Sequence, residues 1–195
     1  MELKKILKFF KLKKIKIDVL INNAAIDYPP SKTKKNELRL ETFPNDIWDK
    51  DISVSLKGSY LCTKVFGSYM SKFKNGSIIN ISSDLGIIAP DQRIYKENNF
   101  TKPITYSVVK HGIIGLTKYT ASYWGDKNIR CNAIAPGGIY KNQADSFVKK
   151  INNLIPLGRM AKKNEYNGLI LFLCSNLSSY LTGSVIVADG GRTII

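Results

Sequence analysis

Apolar and polar residues follow two distinct patterns along this chain. Four short apolar runs, each closed by a polar or glycine-containing turn, are typical of buried parallel strands. These runs are residues 18–22, 76–81, 129–134 and 184–188. In other stretches the apolar residues recur at helical spacing, which predicts helices. The helical stretches are residues 2–14, about 44–69, 106–124, 142–153 and 163–177.

Strand and helix therefore alternate throughout the sequence. That order predicts an α/β fold, a Rossmann-like doubly wound parallel sheet with helices on both faces. Residues 28–46 and 84–105 have no apolar period and are predicted loops. The second loop is long enough that we expect a function for it, since long structureless loops are uncommon within a compact domain.

Composition narrows the class of protein. The 195 residues are 44% apolar and 23% charged, which fits one globular domain. No apolar run approaches the roughly 20 residues that span a bilayer, and we expect no secretory signal because residues 1–16 have no uninterrupted apolar core. Cys62, Cys131 and Cys174 are scattered, and His111 is the single histidine. We therefore expect reduced thiols and no metal site, in a cytoplasmic protein.

The formal net charge is +15, which can attract nucleic acid, anionic membranes or phosphorylated ligands. Lysines make up 25 of the 30 basic residues, whereas base readout and bidentate phosphate recognition favour arginine. We interpret the charge as a solvated surface and expect no nucleic-acid partner. The basic amphipathic stretch 2–14 could lie on a membrane, but we expect a surface helix packed on the sheet, with no membrane partner.

Tyr106 and Lys110 are the most informative pair for chemistry. Residues four apart lie on one face of a helix, so an ammonium group can stand beside a phenol. A tyrosine has an ordinary pKa near 10, and a cation about 4 Å away favours the phenolate by roughly 4 kcal/mol at an effective dielectric near 20. Such a pair can exchange a proton with a substrate oxygen. By itself the pair also fits an exposed helix face without function.

The turns that close the apolar runs give this pair a context. The carboxyl ends of parallel strands share one edge of the sheet, and open α/β folds bind ligands at that edge. Ser83 is the second residue after the run 76–81 and precedes the helix of Tyr106. The turns after two other runs hold Asn22, Asn23, Ala24, Pro136, Gly137 and Ile139.

With these motifs in this order, the chain resembles the short-chain dehydrogenase/reductase family over essentially its whole length. The matching segments are DVLINNAA, GSIINISS, TYSVVKHGIIGLTKY, IRCNAIAPGGI and YLTGSVIVADGG. The resemblance implies hydride transfer between NAD or NADP and a hydroxyl or carbonyl group of a small substrate. It also implies a homo-oligomer.

The resemblance assigns roles to individual residues. Ser83 and Tyr106 are the expected catalytic residues, and Lys110 is expected to lower the pKa of Tyr106 and to hold the nicotinamide ribose. Ser55 stands where the family has a catalytic Asn in a kinked helix, and we expect Ser55 to keep the backbone bond without the same kink. The expected cofactor contacts are Asn22, Asn23, Ala24, Tyr106, Lys110, Pro136, Gly137 and Ile139. The expected substrate contacts are Asp84, Asn142 and Gln143.

The chain departs from the family pattern at its start. The family begins with a strand, a TGxxxGxG turn and a helix whose N-terminus binds the pyrophosphate, and this motif does not occur in residues 1–195. We therefore expect a single incomplete domain over 1–195, lacking the first βαβαβ portion, and weak binding of NAD and NADP.

A finer resemblance concerns the substrate. The segments IYKENNFTKPITYSVVK, PGGIYKNQADSFVKK and PLGRM resemble dehydrogenases of bacterial surface-sugar and nonulosonic-acid pathways. This branch implies a sugar substrate, with residues 86–105 as a lid or wall over the site. Two other functions stay open: a catalytically silent remnant of the fold, and a basic binding module without redox chemistry.

Overall fold

This computed structural model describes residues 2–28, 38–98 and 100–195, and in them the four apolar runs form one parallel sheet. The strands are β1 (Val19–Asn22), β2 (Gly76–Ile81), β3 (Ile129–Pro136) and β4 (Val185–Ala188). They pair in the order β1-β2-β3-β4, and every pairing is parallel. The predicted Rossmann-like parallel sheet is thereby confirmed. Residues 29–37 of the predicted loop 28–46, and Asn99 of the second loop, lie outside the described residues.

The helices follow the predicted stretches, with differences at their ends. They are α1 (Glu2–Leu12), α2 (Asn45–Asp51), α3 (Gly58–Cys62), α4 (Ser68–Met70), α5 (Ile104–Trp124), α6 (Asp145–Asn152) and α7 (Asn167–Cys174). The predicted helix over 44–69 runs from α2 to α4 without a break, because π-helical turns at Ile52–Lys57 and Thr63–Gly67 join its parts. The helix predicted over 142–153 begins later because Asn142 has a left-handed φ of 58°.

Ile78 and Ile79 show how the sheet divides the core. Successive strand residues point to opposite faces, and both side chains are completely buried. Ile78 belongs to a cluster on the α5 face that also contains Met70, Ala121, Ile129 and Cys131. Ile79 packs on the other face with Ile134 of β3 and Leu173 of α7. Burying a side chain of this size contributes about 1.5–3 kcal/mol, so both faces stabilise the sheet.

Helix α1 contacts the helical segment over the sheet rather than the sheet alone. The Phe10 and Phe66 rings meet edge to face at 6.5 Å, and the Tyr69 hydroxyl donates to the carbonyl oxygen of Ile15 at 3.1 Å. No residue of α1 is buried, and Phe9 and Leu12 are exposed. The expected packing of α1 is therefore only partial.

Within residues 2–28, 38–98 and 100–195, no helix combines the length and apolar character that a bilayer crossing requires.

A buried chain of amides and hydroxyls links β1, β2 and α5. Asn80 of β2 is completely buried, and its side-chain oxygen accepts from Asn22 Nδ2 at 2.7 Å. Its own Nδ2 donates to Thr117 Oγ1 at 2.8 Å. Asn22 Nδ2 also donates to Thr63 Oγ1 at 3.0 Å. Buried polar groups without partners are costly, so this chain of bonds fixes the register of β1 against β2.

Replacing Asn80 by Ala should lower the free energy of unfolding by about 2–4 kcal/mol, because one buried N–H of Asn22 loses its acceptor and the hydroxyl oxygen of Thr117 loses its donor. Urea denaturation measures this loss. The matched control is Asn75→Ala, since the exposed Asn75 side chain makes one long bond to Asp18 at 3.3 Å. Equal small losses in both variants would show that the buried amide does not support the sheet.

Candidate active site

Ser83, Tyr106 and Lys110 meet at the carboxyl end of β2. Ser83 directly precedes the short helical turn Asp84–Gly86, and its hydroxyl accepts from the backbone N–H of Leu85 at 3.2 Å. Tyr106 and Lys110 lie one turn apart near the start of α5, which begins after Pro103. The alternation of β2 and α5 therefore brings together the three residues that the sequence singles out.

The junction between β2 and α5 is held by hydrogen bonds and by a glycine. Ser82 Oγ donates to the carbonyl oxygen of Lys110 at 2.8 Å, and Lys110 Nζ donates to the carbonyl oxygen of Ile81 at 2.9 Å. A Cβ atom on Gly86 would stand 2.4 Å from Ser82 Oγ and 2.8 Å from the Lys110 carbonyl oxygen. Only glycine fits there. The sequence analysis did not single out Gly86, although a glycine three residues after Ser83 can indicate a close approach of two elements.

The ionisation of Tyr106 differs from the expectation. Burial raises the pKa of Tyr106 to about 12, and a hydrogen bond with Ser83 opposes this rise. The Lys110 ammonium stands 5.7 Å from the Tyr106 ring centroid and donates to the carbonyl oxygen of Ile81, and the lowering expected from Lys110 stays a prediction. Burial also lowers the pKa of Lys110 to about 8. In this structure Tyr106 therefore keeps its proton at neutral pH.

The buried ammonium of Lys110 gives a pH-dependent stability. Its pKa falls from the ordinary 10.5 to about 8, so the unfolded chain binds this proton more tightly than the folded chain. Burial of the charged ammonium therefore lowers the free energy of unfolding. This loss is complete below pH 8 and disappears as the pH rises from about 8 to 10.5. Relative to Lys110→Met, the parent protein should gain about 3 kcal/mol over that interval.

Denaturation of both proteins across this pH range measures the gain as a difference, which cancels the other titrating groups. The exposed Lys118 on the same helix supplies the control. Lys118→Met should differ from the parent protein by an amount that does not change with pH. A constant difference for Lys110→Met would contradict the burial of its charge.

Asp84 is linked to Ser83 rather than open to a substrate. Asp84 Oδ1 accepts from Ser83 Oγ at 2.7 Å and from the Leu85 N–H at 2.8 Å, and Oδ2 accepts from Arg192 Nη1 at 2.7 Å. Asp84 is 3% exposed and Arg192 is 5% exposed. The expected contact of Asp84 with substrate does not fit this arrangement, because its carboxylate is buried and paired with Arg192. Asp84 instead orients the Ser83 hydroxyl, and Arg192 neutralises Asp84.

Ser55 lies in the π-helical turn Ile52–Lys57, so the helix remains distorted there despite the change from Asn. Its carbonyl oxygen accepts from Ser59 Oγ at 2.7 Å. Its hydroxyl accepts from the backbone N–H of Ile26 at 3.2 Å, which ties the turn after β1 to this helix. π-Helical turns are frequent at functional sites. Ser55 therefore positions the β1 turn beside Tyr106.

The residues expected to hold NAD or NADP have different surroundings. Asn23 and Ala24 are exposed after β1, whereas the amide of Asn22 is committed to the buried hydrogen-bond chain. A small hollow beside them is lined by Ala25, Ile26, Asp51, Ser55, Thr105, Tyr106, Val109 and Lys110. The hollow has a volume of only about 10 Å³, so the phenol of Tyr106 and the ammonium of Lys110 border it without leaving room for a nicotinamide ribose inside it. No group of metal-ligating side chains occurs in the described part of the chain.

The turn after β3 is held by contacts of its own. A Cβ atom on Gly137 would stand 2.8 Å from the Asp189 Cα, so only glycine allows this approach. Gln143 Nε2 donates to the carbonyl oxygen of Ile139 at 2.9 Å, while Asn142 is exposed. Gln143 therefore shapes the turn, and the substrate contacts expected of Asn142 and Gln143 stay predictions.

The described residues of the segment 86–105 form a packed wall rather than a solvated insert. Ile94, Tyr95 and Phe100 are buried together with Leu38. Partly buried neighbours complete this cluster: Tyr28, Phe43, Ile47, Phe147 and Leu154. The polar residues at the start of the segment bond within it, as in the ion pair between Arg93 and Asp91 at 2.8 Å. The segment is thus fixed beside the helix of Tyr106.

A larger cleft lies elsewhere, between the turn after β3 and β4. It has a volume of about 720 Å³ and is lined by Gly137, Tyr166 and Asp189 among mainly apolar side chains. Ser83, Tyr106 and Lys110 do not line it. Its titratable side chains are occupied, since Arg159 and Glu165 pair at 2.7 Å. The volume of this cleft therefore does not mark the place where Ser83, Tyr106 and Lys110 meet.

Comparison with known proteins agrees with this geometry. A family model described as enoyl-(acyl carrier protein) reductase matches residues 2–193. The chain is 39% identical to the 3-oxoacyl-[acyl-carrier-protein] reductase of Thermotoga maritima over 184 residues, which is 92% of this chain and 67% of that protein. The chain likewise spans about two thirds of the length of three other curated relatives.

Solved structures show the same similarity. A short-chain dehydrogenase from Leptospira borgpetersenii with bound NAD+ superimposes with a TM-score of 0.88 at 32% identity, covering 98% of this chain and 71% of that one. A gluconate 5-dehydrogenase from Burkholderia cenocepacia, in complex with NADP and tartrate, gives 0.85 at 25% identity, covering 99% and 71%.

Proposed function

The chain belongs to the short-chain dehydrogenase/reductase family, and we propose that it supports hydride transfer between NAD or NADP and a small hydroxyl or carbonyl substrate in the cytoplasm. The observation that carries the proposal is the meeting of Ser83, Tyr106 and Lys110 at the carboxyl end of β2. Hydrogen bonds and Gly86 hold these three residues there.

Each of these residues has a distinct part in carbonyl reduction. The nicotinamide, when bound, supplies the hydride. A carbonyl oxygen placed beside Tyr106 accepts the phenolic proton, and Ser83 donates a second hydrogen bond once its hydroxyl turns away from Asp84. The ammonium of Lys110 donates to the carbonyl oxygen of Ile81 and, with its further N–H groups, would donate to a ribose hydroxyl of the cofactor. Because Tyr106 keeps its proton at neutral pH, the site is ready for reduction without a prior ionisation step.

For the substrate, we propose a polyhydroxylated molecule such as a sugar or a sugar acid. The wall supports this, since Lys102 places it against the ring of Tyr106 and the polar side chains of Gln92 and Arg93 are exposed on it. The similar gluconate 5-dehydrogenase points to the same class. The finer likeness to dehydrogenases of bacterial surface-sugar pathways remains part of this proposal.

Turnover of a substrate panel tests the proposal. Keto sugars, keto sugar acids and apolar ketones are each incubated with millimolar NADH or NADPH, and loss of the reduced cofactor is recorded. We expect turnover with the polar ketones and little with the apolar ones. A preference for apolar ketones would remove the sugar assignment. No turnover with any carbonyl compound would favour the catalytically silent alternative.

Millimolar cofactor is chosen because we propose that the chain of 195 residues binds dinucleotides weakly. It carries no TGxxxGxG turn, so the two phosphate charges lack the helix N-terminus that usually binds them. Calorimetric titration with NAD and NADP measures the affinity directly. A dissociation constant in the micromolar range for either would contradict this reasoning.

We also propose that the chain forms a homo-oligomer through the surface of α7 and β4. Leu171, Leu177 and Tyr180 are largely exposed there, and the edge strand β4 exposes Val187. Exposed apolar surface of this kind usually marks an interaction site. Sedimentation velocity tests the proposal, since a monomer at all concentrations would contradict it.

A further inference from the structure

A second lysine, Lys102, lies directly on the ring of Tyr106. Its Nζ stands 3.9 Å from the ring centroid, and its side chain is 12% exposed. The backbone of Lys102 is fixed by Gln92, which accepts from its N–H at 3.0 Å and donates to its carbonyl oxygen at 3.1 Å. The wall segment thus holds a cation on the face of the tyrosine.

Lys102 is the nearer of the two lysines around Tyr106. The Lys110 ammonium is 5.7 Å from the ring centroid and donates to the carbonyl oxygen of Ile81. Tyr95 is a further titratable group close to Tyr106, and it is buried and neutral because burial raises its pKa. A cation at a ring face is attracted by the aromatic quadrupole, and it is attracted more strongly when the phenol carries a negative charge.

Two carboxylates also face Tyr106, and each has its own cation. Asp27 pairs with Lys102 at 2.7 Å, and Asp84 pairs with Arg192 at 2.7 Å. Both carboxylates oppose ionisation of Tyr106. Without Lys102, the charge of Asp27 would act on the phenol uncompensated. The position of Lys102 therefore removes one unfavourable charge and adds one favourable charge.

We propose that Lys102 is a positioning residue that stabilises the phenolate of Tyr106, the state left behind when Tyr106 gives its proton to a substrate oxygen. Its relevance to turnover rests on the proposed function. The stabilisation itself is a property of this chain and is measurable without cofactor or substrate. Lys102 thus takes the electrostatic part that the sequence assigns to Lys110, and it leaves Lys110 free to contact a ribose.

Fluorine NMR of a ring-fluorinated tyrosine at position 106 tests the proposal. The fluorine makes the phenol more acidic, which brings its ionisation into a milder pH range and reports it at one site. Lys102→Met should raise the pKa of this tyrosine by about one unit, a tenfold change in its ionisation constant. Lys102→Arg should restore the parent value, since it restores the cation. Lys118→Met removes an exposed lysine of α5, the helix that carries Tyr106, and should leave the pKa of the tyrosine unchanged.

Two results would overturn the proposal. One is a parent pKa in Lys102→Met, and the other is an equal shift in Lys102→Met and Lys102→Arg, which would indicate a structural effect. Lys102→Gln serves as a second neutral variant if Lys102→Met does not fold, as judged by circular dichroism. Because no turnover is required, failure of this test leaves the proposed function standing, and absence of turnover leaves this test intact.

Discussion

Replacing Tyr106 by Phe should reduce carbonyl-dependent oxidation of the reduced cofactor by about 10²- to 10⁴-fold, the usual contribution of a positioned general acid. Phe keeps the aromatic ring and its contact with Lys102, and it removes only the hydroxyl that gives the proton. The fold of α5 should be unaffected, because the bonds of Ser82 and Lys110 join α5 to the end of β2 without the Tyr106 hydroxyl.

Steady-state kinetics and cofactor titration together measure this effect. The turnover number should fall while cofactor affinity stays close to that of the parent protein. Tyr119→Phe is the matched control, since Tyr119 is 68% exposed on the same helix and should tolerate the change. Full turnover in Tyr106→Phe would show that another group transfers the proton.

Replacing Arg192 by Met should lower the free energy of unfolding by about 3–5 kcal/mol. The guanidinium of Arg192 is the cation paired with Asp84, and both side chains are almost completely buried. Removing it leaves a buried carboxylate without compensation, at a position that also orients Ser83. We therefore expect a loss of turnover beyond the loss of stability.

Chemical denaturation measures the first effect, and kinetics of the folded fraction measure the second. The double variant Arg192→Met/Asp84→Asn should recover part of the stability, because no charge is then buried alone. Arg93→Met is the control: Arg93 pairs with Asp91 on the surface, and its loss should leave stability nearly unchanged. An equally small loss for Arg192→Met would contradict the importance of the buried pair.

Much of the fold follows from local pattern. The apolar runs at 76–81 and 129–134 have the composition of strands buried on both faces, and the structure places both inside the sheet. The pair of Tyr106 and Lys110 needs only helical spacing, so α5 fixes their relative position. The position of Ser83 is predictable because it comes two residues after the last residue of β2. These features depend on neighbours in sequence, which is why periodicity reveals them.

Other parts of the site depend on contacts that no local pattern records. Asp84 and Arg192 are 108 residues apart, and their pairing follows from where the turn after β4 meets the turn after β2. The place of Lys102 depends on how the wall 86–105 packs, and the sequence shows this segment only as polar and without period. The neutral state of Tyr106 follows from burial, which helical spacing does not determine.

The π-helical turn at Ser55 is a further case. Substitution of Asn by Ser suggests a straighter helix, yet the turn over Ile52–Lys57 keeps its distortion. The hydroxyl of Ser55 accepts from Ile26 and ties the helix to the turn after β1. A tertiary contact therefore overrides the local preference of the helix.

Transfer of a deuterium label tests the central claim most directly. The chain is incubated with a keto sugar acid and a reduced nicotinamide cofactor that carries deuterium at its transferable position, and the product is examined by mass spectrometry. The account predicts one deuterium on the former carbonyl carbon, formed at least a hundredfold more slowly by Tyr106→Phe. Product without deuterium, or equal labelling rates in both proteins, would contradict hydride transfer supported by Ser83, Tyr106 and Lys110.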